Sequence, residues 1–200
     1  MQEISPVMIN GPFSRFVAFR HLVSHRRERL APSSTAKPLW GTGSLEKGGR
    51  YNFHGKFEVV YLAEDAITAL AESNLMLRNV NTGVVRIKGA PRVHISVDGI
   101  LLSVLDLTQP ETQELLFTNK QELTGEWRYT QAGGQEAPTQ VLGRVAFQSV
   151  RFTAIRFPSS KNPPHGVCIA LFPERLSSFP PSFIAVYDPD GNLSQRIPPV

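Results

Sequence analysis

The sequence predicts an α+β fold in a single domain, with mostly antiparallel sheets around a cleft and helices at their flanks. Short β-rich runs outnumber helical segments, and they do not alternate with helices as they would in a parallel α/β sheet. The chain has 200 residues, which fits one domain, and 41% of them are apolar, enough for a sizeable core. We therefore expect one domain over residues 1–200.

The predicted strands are short runs rich in β-branched and aromatic residues. Asp98-Gly99 separates two of these runs and favours a tight hairpin between them. The runs are 13–23, 57–63, 84–87, 93–97, 100–106, 152–157, 167–172 and 183–187.

A helix is predicted over residues 66–78, because Asp65 can cap its first turn and the apolar residues recur at helical spacing. The predicted apolar side consists of Ile67, Leu70, Ala71 and Asn74. Glu72 lies about 140° from Ile67 around this helix, at about 100° per residue. It therefore leaves the apolar side and is expected to face a cleft.

Two further helices are predicted, one after Pro110 and one over residues 139–149. Between them the chain is polar, and it contains a Gly-Gly pair at 133–134. We interpret residues 108–138 as an insertion or a lid.

Composition restricts the partners and the compartment. The formal net charge is +4, which favours anions such as nucleotides, nucleic acid or an acidic protein without choosing among them. The single cysteine, Cys168, lies in an apolar run and is predicted to be a small buried residue. One thiol forms no internal disulfide, and no leader pattern or membrane-spanning apolar run is evident, so we expect a cytoplasmic protein.

Three polar residues at even spacing are the main candidates for a site: Arg50, Tyr61 and Glu72. Arg50 follows a glycine-rich loop and can bind phosphate or carboxylate. Tyr61 lies in a predicted strand and can stack on an aromatic base. The neighbours of Glu72 are small, so a ligand can approach it closely. Each has a plainer interpretation: a solvated arginine, a core tyrosine and a solvated glutamate.

Other polar residues are less specific. Ser159 and Ser160, beside Lys161, can bind a sugar or phosphate, or can simply form a turn. His21 and His25 have i,i+4 spacing but no third ligand, so no metal site is predicted. The basic run 20–29 can bind nucleic acid phosphates, but it contains no recognisable nucleic-acid motif. A solvated face or a patch for an acidic partner is the preferred interpretation of that run.

Taken together, these residues resemble the RES-domain family, which is named for arginine, glutamate and serine. Phe19-Arg20 is similar to the aromatic–arginine pair near the N-terminus of the family, and Thr139-Gln140 with Leu142-Gly143 to a segment before the serine. The resemblance covers about residues 15–190. The motifs that carry it are GGRYN at 48–52, YLA at 61–63, ALAE at 69–72 and PS at 158–159.

The resemblance implies an ADP-ribosyltransferase-like fold and a toxin of a bacterial toxin–antitoxin pair, neutralised by an Xre-like antitoxin. It implies cleavage of NAD at the nicotinamide–ribose bond, with water or phosphate as the acceptor. Some members transfer ADP-ribose to a protein instead. NAD would be a substrate, with no true cofactor and no metal. Membranes would not be involved, and nucleic acid would be contacted only through the antitoxin.

The resemblance also implies roles for particular residues. Glu72 would bind the ribose hydroxyls and stabilise the positive charge that develops on the ribose. Arg50 would hold the phosphates, Tyr61 would stack on the nicotinamide, and Ser159 would fix the geometry of the ribose or phosphate. Assigned to substrate binding are Arg20, Asn52 and Ser160, and the two serines leave open which hydroxyl is used.

Overall fold

The structure is a computed structural model that describes residues 1, 3–24, 31–32, 37–73, 76–78, 85–87 and 90–199. The chain folds into a central eight-stranded sheet, two two-stranded sheets and several short helices. The strands are β1 (Val7–Asn10), β2 (Phe13–Ala18), β3 (Val23–Ser24), β4 (Ala31–Pro32), β5 (Val60–Ala63), β6 (Met76–Arg78), β7 (Val85–Ile87), β8 (Arg92–Asp106), β9 (Ala154–Pro158), β10 (Val167–Leu171), β11 (Phe183–Val186) and β12 (Arg196–Ile197). The helices are α1 (Thr42–Lys47), α2 (Ala66–Glu72), α3 (Pro110–Leu115), α4 (Lys120–Thr124), α5 (Trp127–Ala132) and α6 (Pro138–Gln148), with 3₁₀ turns at Phe19–His21 and Pro173–Ser178.

The central sheet is almost wholly antiparallel. Its strand order is β12-β11-β8-β2-β5-β10-β9, and β1 also pairs with β8. The end of β8 pairs in parallel with β9, so the five strands from β8 to β9 form a closed circuit. The predicted α+β fold with mostly antiparallel pairing is confirmed.

The hairpin predicted at Asp98-Gly99 is wrong, because β8 runs unbroken from Arg92 to Asp106. Gly99 lies opposite Ile184 of β11, and a side chain there would bring its Cβ to 2.6 Å from the Phe183 carbonyl oxygen. The glycine is therefore needed because two strands approach closely there, and not because the chain turns.

Two buried clusters lie on opposite faces of the sheet, as the alternation along its strands requires. In β5, Leu62 belongs to one cluster and Ala63 to the other. In β10, Ile169 and Leu171 pack with Leu62, whereas Cys168 and Ala170 pack with Ala63. The sheet is thus covered on both faces.

Helix α2 is shorter than predicted and presents a different face to the core. It ends at Glu72, and 76–78 form a strand. Thr68 and Ala69 are buried, whereas Ile67 is 66% exposed, so the predicted apolar face is wrong. Asp65 caps the helix as predicted, since its carboxylate accepts a hydrogen bond from the Thr68 N–H at 2.8 Å. Asn74 lies outside the described residues.

The first predicted strand also ends early, since β2 stops at Ala18 and the 3₁₀ turn follows. The polar stretch 108–138 contains α3, α4 and α5. Within the described chain, every helix is too short or too polar to span a bilayer.

Helix α6 packs directly against the backbone of Tyr51 through Gly143. A Cβ on Gly143 would lie 1.9 Å from the Tyr51 carbonyl oxygen. Tyr51 is fully buried, and its ring packs at 4.5 Å from Phe157. The helix can approach the turn at 49–52 only because residue 143 has no side chain.

Gly143→Ala should lower the free energy of unfolding by about 1–3 kcal/mol, the usual cost of overpacking a core. The measurement is urea unfolding at constant m-value, followed by circular dichroism. Gly43→Ala is the matched control, because a Cβ at Gly43 meets nothing within 4 Å. Equal stability of the two variants would contradict the packing described.

Candidate active site

A cleft opens where strands β2 and β5 part. Among the described residues, Ser14 and Ala63 are the single pair that joins these two strands. Beyond that pair, Arg15 and Phe16 of β2 and Tyr61 and Leu62 of β5 all line one cavity of about 770 Å³. A gap in a sheet exposes residues of both faces, so polar and apolar groups meet there.

The cleft is strongly cationic. Six basic and two acidic residues are found among the described residues that line it. Such an excess of positive charge attracts anions and raises their local concentration. The basic residues are Arg15, Lys47, Arg50, Arg92, Arg128 and Lys161, and the acidic ones are Glu72 and Glu126.

Glu72, the last residue of α2, is held in the cleft by hydrogen bonds to one of its oxygens. Its Oε1 accepts from the Ser159 hydroxyl at 2.6 Å and from the Ser160 backbone N–H at 3.1 Å. No hydrogen bond from a described residue reaches Oε2. The carboxylate is therefore fixed on one side and available to a ligand on the other.

Ser159 lies beneath Glu72 rather than in the cavity. It is buried, and its Oγ also accepts hydrogen bonds from the N–H groups of Lys161 and Asn162, each at 3.1 Å. Ser160 is half-buried and lines the cavity. Ser159 is thus placed to position Glu72, and Ser160 presents the hydroxyl that a ligand can reach.

Arg50 is tied to the wall of the cleft. Its Nη1 donates to the backbone oxygens of Leu123 at 2.9 Å and Gly125 at 2.7 Å, and its Nη2 donates to Ser160 Oγ at 3.2 Å. A guanidinium has five N–H groups. Three are engaged here, which leaves the Nε–H and one Nη2–H for a ligand.

Tyr61 supports the turn at 49–52 through its hydroxyl. That hydroxyl accepts from the Tyr51 N–H at 2.8 Å and donates to Asn52 Oδ1 at 2.9 Å. Burial raises the pKa of Tyr61 well above its usual value, so the phenol stays protonated. A Cβ on Gly49 would lie within 2.7 Å of the Tyr61 ring, so the motif needs glycine there. The Tyr61 ring nevertheless lines the cavity.

Asn52 is fully buried and does not line the cavity. Its Nδ2 donates to the backbone oxygens of Ser44 at 2.8 Å and Phe57 at 3.1 Å. The structure therefore gives this residue, which the resemblance assigned to substrate binding, the contacts of a turn-forming residue.

A pair of glutamines that sequence reasoning missed organises this turn. The buried Gln140 amide Nε2 donates to the backbone oxygen of Gly49 at 3.0 Å and to Gln131 Oε1 at 2.7 Å. Gln131 in turn donates to the Lys47 carbonyl at 2.8 Å. Helices α5 and α6 are thereby joined to the loop that presents Arg50. The resemblance of Thr139-Gln140 to a family segment was the only signal for them.

The N-terminal arginine in the cleft is Arg15, and Arg20 lies elsewhere. Arg20 is exposed on the 3₁₀ turn, with its Nε 3.4 Å from His21 Nε2, and does not line the cavity. Arg15 donates from Nη2 to the Trp40 backbone oxygen at 2.7 Å. Its Nη1 is buried and meets no hydrogen-bond partner in the described part of the chain. Desolvation lowers the pKa of Arg15 to about 10, against an opposing effect of Glu58.

The remaining predictions concern Cys168, the basic run and a metal site. Cys168 is buried as predicted, and its pKa is raised well above the usual value by burial and by Glu72, so it is a neutral thiol. His25 and most of the basic run lie outside the described residues. Of the residues that the structure describes, no three His, Cys, Asp or Glu side chains cluster as metal ligands.

Comparison with known proteins identifies a family and a fold. A family model described as the RES domain matches residues 22–193. NAD(+) phosphorylase MbcT of Mycobacterium tuberculosis, and its counterpart in Mycobacterium bovis, are 32% identical over 101 residues. This alignment covers 50% of this chain, and the chain spans about half (54%) of the length of these relatives.

One solved structure has the same fold. The crystal structure of the M. tuberculosis MbcT–MbcA toxin–antitoxin complex matches with a TM-score of 0.57 and 20% identity, over 85% of this chain and 79% of the other. The match agrees with the ADP-ribosyltransferase-like fold that the sequence resemblance implies.

Arg15→Met should raise the free energy of unfolding by about 1–3 kcal/mol, because it removes a buried, unpartnered donor. The pKa near 10 keeps Arg15 charged at pH 7, so the destabilising effect is fully present there. Urea unfolding at pH 7 measures the difference. Arg92→Met is the control, since Arg92 is exposed in the same cleft. A less stable Arg15→Met would mean that the contact with Trp40 outweighs the cost of burial.

Proposed function

Because this chain belongs to the RES domain family, we propose that it is an NAD-degrading toxin that cleaves the nicotinamide–ribose bond. The observation that carries the proposal is the carboxylate of Glu72, held by Ser159 and Ser160 on the wall of a cationic cleft. NAD is the substrate, no separate cofactor takes part, and we expect the protein to act in the cytoplasm.

The reaction needs a negative charge beside the ribose and no acid at the leaving group. When the bond between ribose C1′ and the nicotinamide nitrogen breaks, its electron pair neutralises the pyridinium, and nicotinamide leaves uncharged. The ribose is left with oxocarbenium character. A fixed carboxylate stabilises that charge without reorganisation. Glu72 has this role, and Ser159 is its positioning residue.

The cations of the cleft bind the pyrophosphate. Arg50 has two N–H groups to offer, and Arg15 adds a positive charge in the wall of the cavity. Charge-assisted bonds of this type to phosphate are among the strong hydrogen bonds in proteins. The Tyr61 ring supplies the aromatic wall against which nicotinamide stacks.

Inorganic phosphate is the acceptor that the charge balance favours. An NAD pyrophosphate carries two negative charges, whereas the six basic and two acidic residues that line the cleft leave four positive charges. A phosphate oxygen forms the new bond to C1′ as nicotinamide departs, giving ADP-ribose phosphate. Water, the alternative acceptor, would lose a proton and give ADP-ribose. The name of the relative MbcT, an NAD(+) phosphorylase, supports the first product.

A protein antitoxin is the proposed partner. The similar structure is that of a toxin with its antitoxin, which supports a corresponding partner for this chain. We propose an Xre-like antitoxin, through which alone the toxin is associated with nucleic acid.

Glu72→Gln should lower the rate of nicotinamide release from NAD by about 100- to 1,000-fold, as for the loss of a preorganised electrostatic contact. Ser159→Ala should lower kcat by about 10-fold or more with little change in KM, since a hydrogen bond to a charged group contributes about 1.5–3 kcal/mol. Glu114→Gln, on the exposed surface of α3, is the control. Chromatographic assay of nicotinamide, with and without phosphate, measures all three.

Two results of this assay would contradict the proposal. The first is no nicotinamide release by the wild-type protein in either buffer, and the second is equal release by Glu72→Gln. Label from NAD on a protein, in place of ADP-ribose phosphate or ADP-ribose, would assign the chain to protein ADP-ribosylation.

Expression of the wild-type chain in bacteria should deplete cellular NAD and arrest growth, because the substrate is consumed. Glu72→Gln should do neither at the same protein level. Growth curves with parallel NAD measurement test this expectation. Growth arrest at constant NAD would point to another target.

A further inference from the structure

Trp127 is an aromatic residue of the cleft that the reaction does not use. It is the first residue of α5, half-buried, and its side chain lines the cavity. The guanidinium of Arg128 lies 4.6 Å from the centre of its ring. The indole thus offers an aromatic surface beside a cation, an arrangement that attracts the π-face of a nucleobase.

Phe16, Tyr61 and Phe157 also line the cavity, whereas two largely exposed aromatic residues do not. Trp40, the second of the two tryptophans, is 48% exposed and does not line the cavity. Tyr129 lies on the same helix as Trp127, but it is 87% exposed and also outside the cavity lining. Trp127 is therefore distinguished by its place in the cleft, not by its residue type.

Hydrogen bonds connect Glu72 to the start of α5 in a fixed order. Ser160 donates its N–H to Glu72 at 3.1 Å, and its hydroxyl accepts from Arg50 at 3.2 Å. Arg50 then donates to the carbonyl of Gly125 at 2.7 Å, two residues before Trp127. A carboxylate, a guanidinium and an aromatic ring thus follow one another along the wall of the cleft.

This order matches the chemical order of a dinucleotide: a ribose that gains positive charge, a pyrophosphate and an adenine base. We propose that Trp127 is the platform on which the adenine stacks, so that the site selects a whole dinucleotide over a nicotinamide mononucleotide. The inference rests on the proposed NAD-cleaving function and names the part of the substrate that sets its affinity.

The platform is fixed before a ligand binds. Arg50 holds the residues before it through Leu123 and Gly125, and Gln131 holds the end of α5 through the Lys47 carbonyl at 2.8 Å. Because the wall is anchored on both sides of Trp127, it loses little conformational entropy when a ligand binds. The stacking energy then contributes to affinity without that cost.

The kinetic test compares two substrates. Trp127→Ala should raise KM for NAD by about 5- to 150-fold, the equivalent of about 1–3 kcal/mol of base stacking at about 1.4 kcal/mol per tenfold. The kcat for NAD should stay near wild type. Trp127→Phe keeps a ring and should raise KM less. Nicotinamide release from nicotinamide mononucleotide should be slow in the wild type and unchanged in both variants. Tyr129→Ala is the control on the same helix.

A binding test without chemistry uses AMP as the probe. AMP should quench the tryptophan fluorescence of Trp40→Phe, in which Trp127 is the one remaining indole. It should not quench Trp127→Phe, in which Trp40 remains. This measurement does not depend on cleavage of NAD.

The outcomes separate the inference from the proposed function. An unchanged KM for NAD in Trp127→Ala, or an absence of AMP quenching in Trp40→Phe, would overturn the adenine platform. An equal rise in KM for nicotinamide mononucleotide in Trp127→Ala would also overturn it, because that substrate lacks the adenine. Wild-type protein that is quenched by AMP yet releases no nicotinamide would overturn the proposed function and leave the platform supported.

Discussion

The turn at residues 49–52 is held from two sides by buried hydrogen bonds, and the cleft is built around it. The Tyr61 hydroxyl binds the backbone N–H of Tyr51 and the side chain of Asn52 from the side of the sheet. The Gln140 amide binds the carbonyl of Gly49 from the side of α6. Buried polar groups stabilise a structure only when they are satisfied, so this network specifies one conformation of the turn. Because the backbone conformation of the turn is fixed, the Arg50 side chain is directed into the cleft.

Hydrogen bonds connect this turn to the rest of the site. Arg50 binds the carbonyls of Leu123 and Gly125 and the hydroxyl of Ser160, so one guanidinium links the polar segment after α3 to the loop after β9. The same loop holds Glu72 through Ser159. Arg50 of the turn is thus connected to the Glu72 carboxylate by two hydrogen bonds through Ser160, although the two residues are not in direct contact. The same turn needs glycine at two neighbouring positions, because a Cβ on Gly49 would clash with the Tyr61 ring and a Cβ on Gly143 would clash with the Tyr51 carbonyl.

The cleft also contains a buried arginine that lowers the stability of the fold. Arg15 keeps a buried Nη1 without a partner in the described residues, and its pKa is lowered by desolvation. A buried cation without a full set of partners destabilises the folded state. By contrast, Arg156 is bound to Glu64 at 2.6 Å and to Asp106 at 3.0 Å, so two carboxylates within the fold compensate its charge. The two arginines therefore differ in how far the fold itself satisfies their charge.

Local sequence determined the α+β class, most strands of the central sheet, the α6 helix and the Asp65 cap. These depend on residue periodicity and on contacts between near neighbours, which a single sequence records. The Asp98-Gly99 hairpin was wrong because β11, about 85 residues away, pairs across that glycine. The Ile67 face of α2 was wrong because seven residues give too few turns to define an apolar side.

Tertiary structure decided which polar group meets which. Ser159 lies under Glu72 from 87 residues away, Gln140 reaches Gly49 from 91, and Arg15 meets Trp40 from 25. No local pattern specifies such partners, because a serine, a glutamine or an arginine looks the same in the sequence whether or not it forms a long-range hydrogen bond. The spacing of the polar residues and the family motifs thus predicted that Arg50 and Glu72 share a cleft, and both line the cavity. Only the folded chain decided that Arg15 and not Arg20 joins them, because β2 ends at Ala18 and places Arg20 on the turn beyond the cavity.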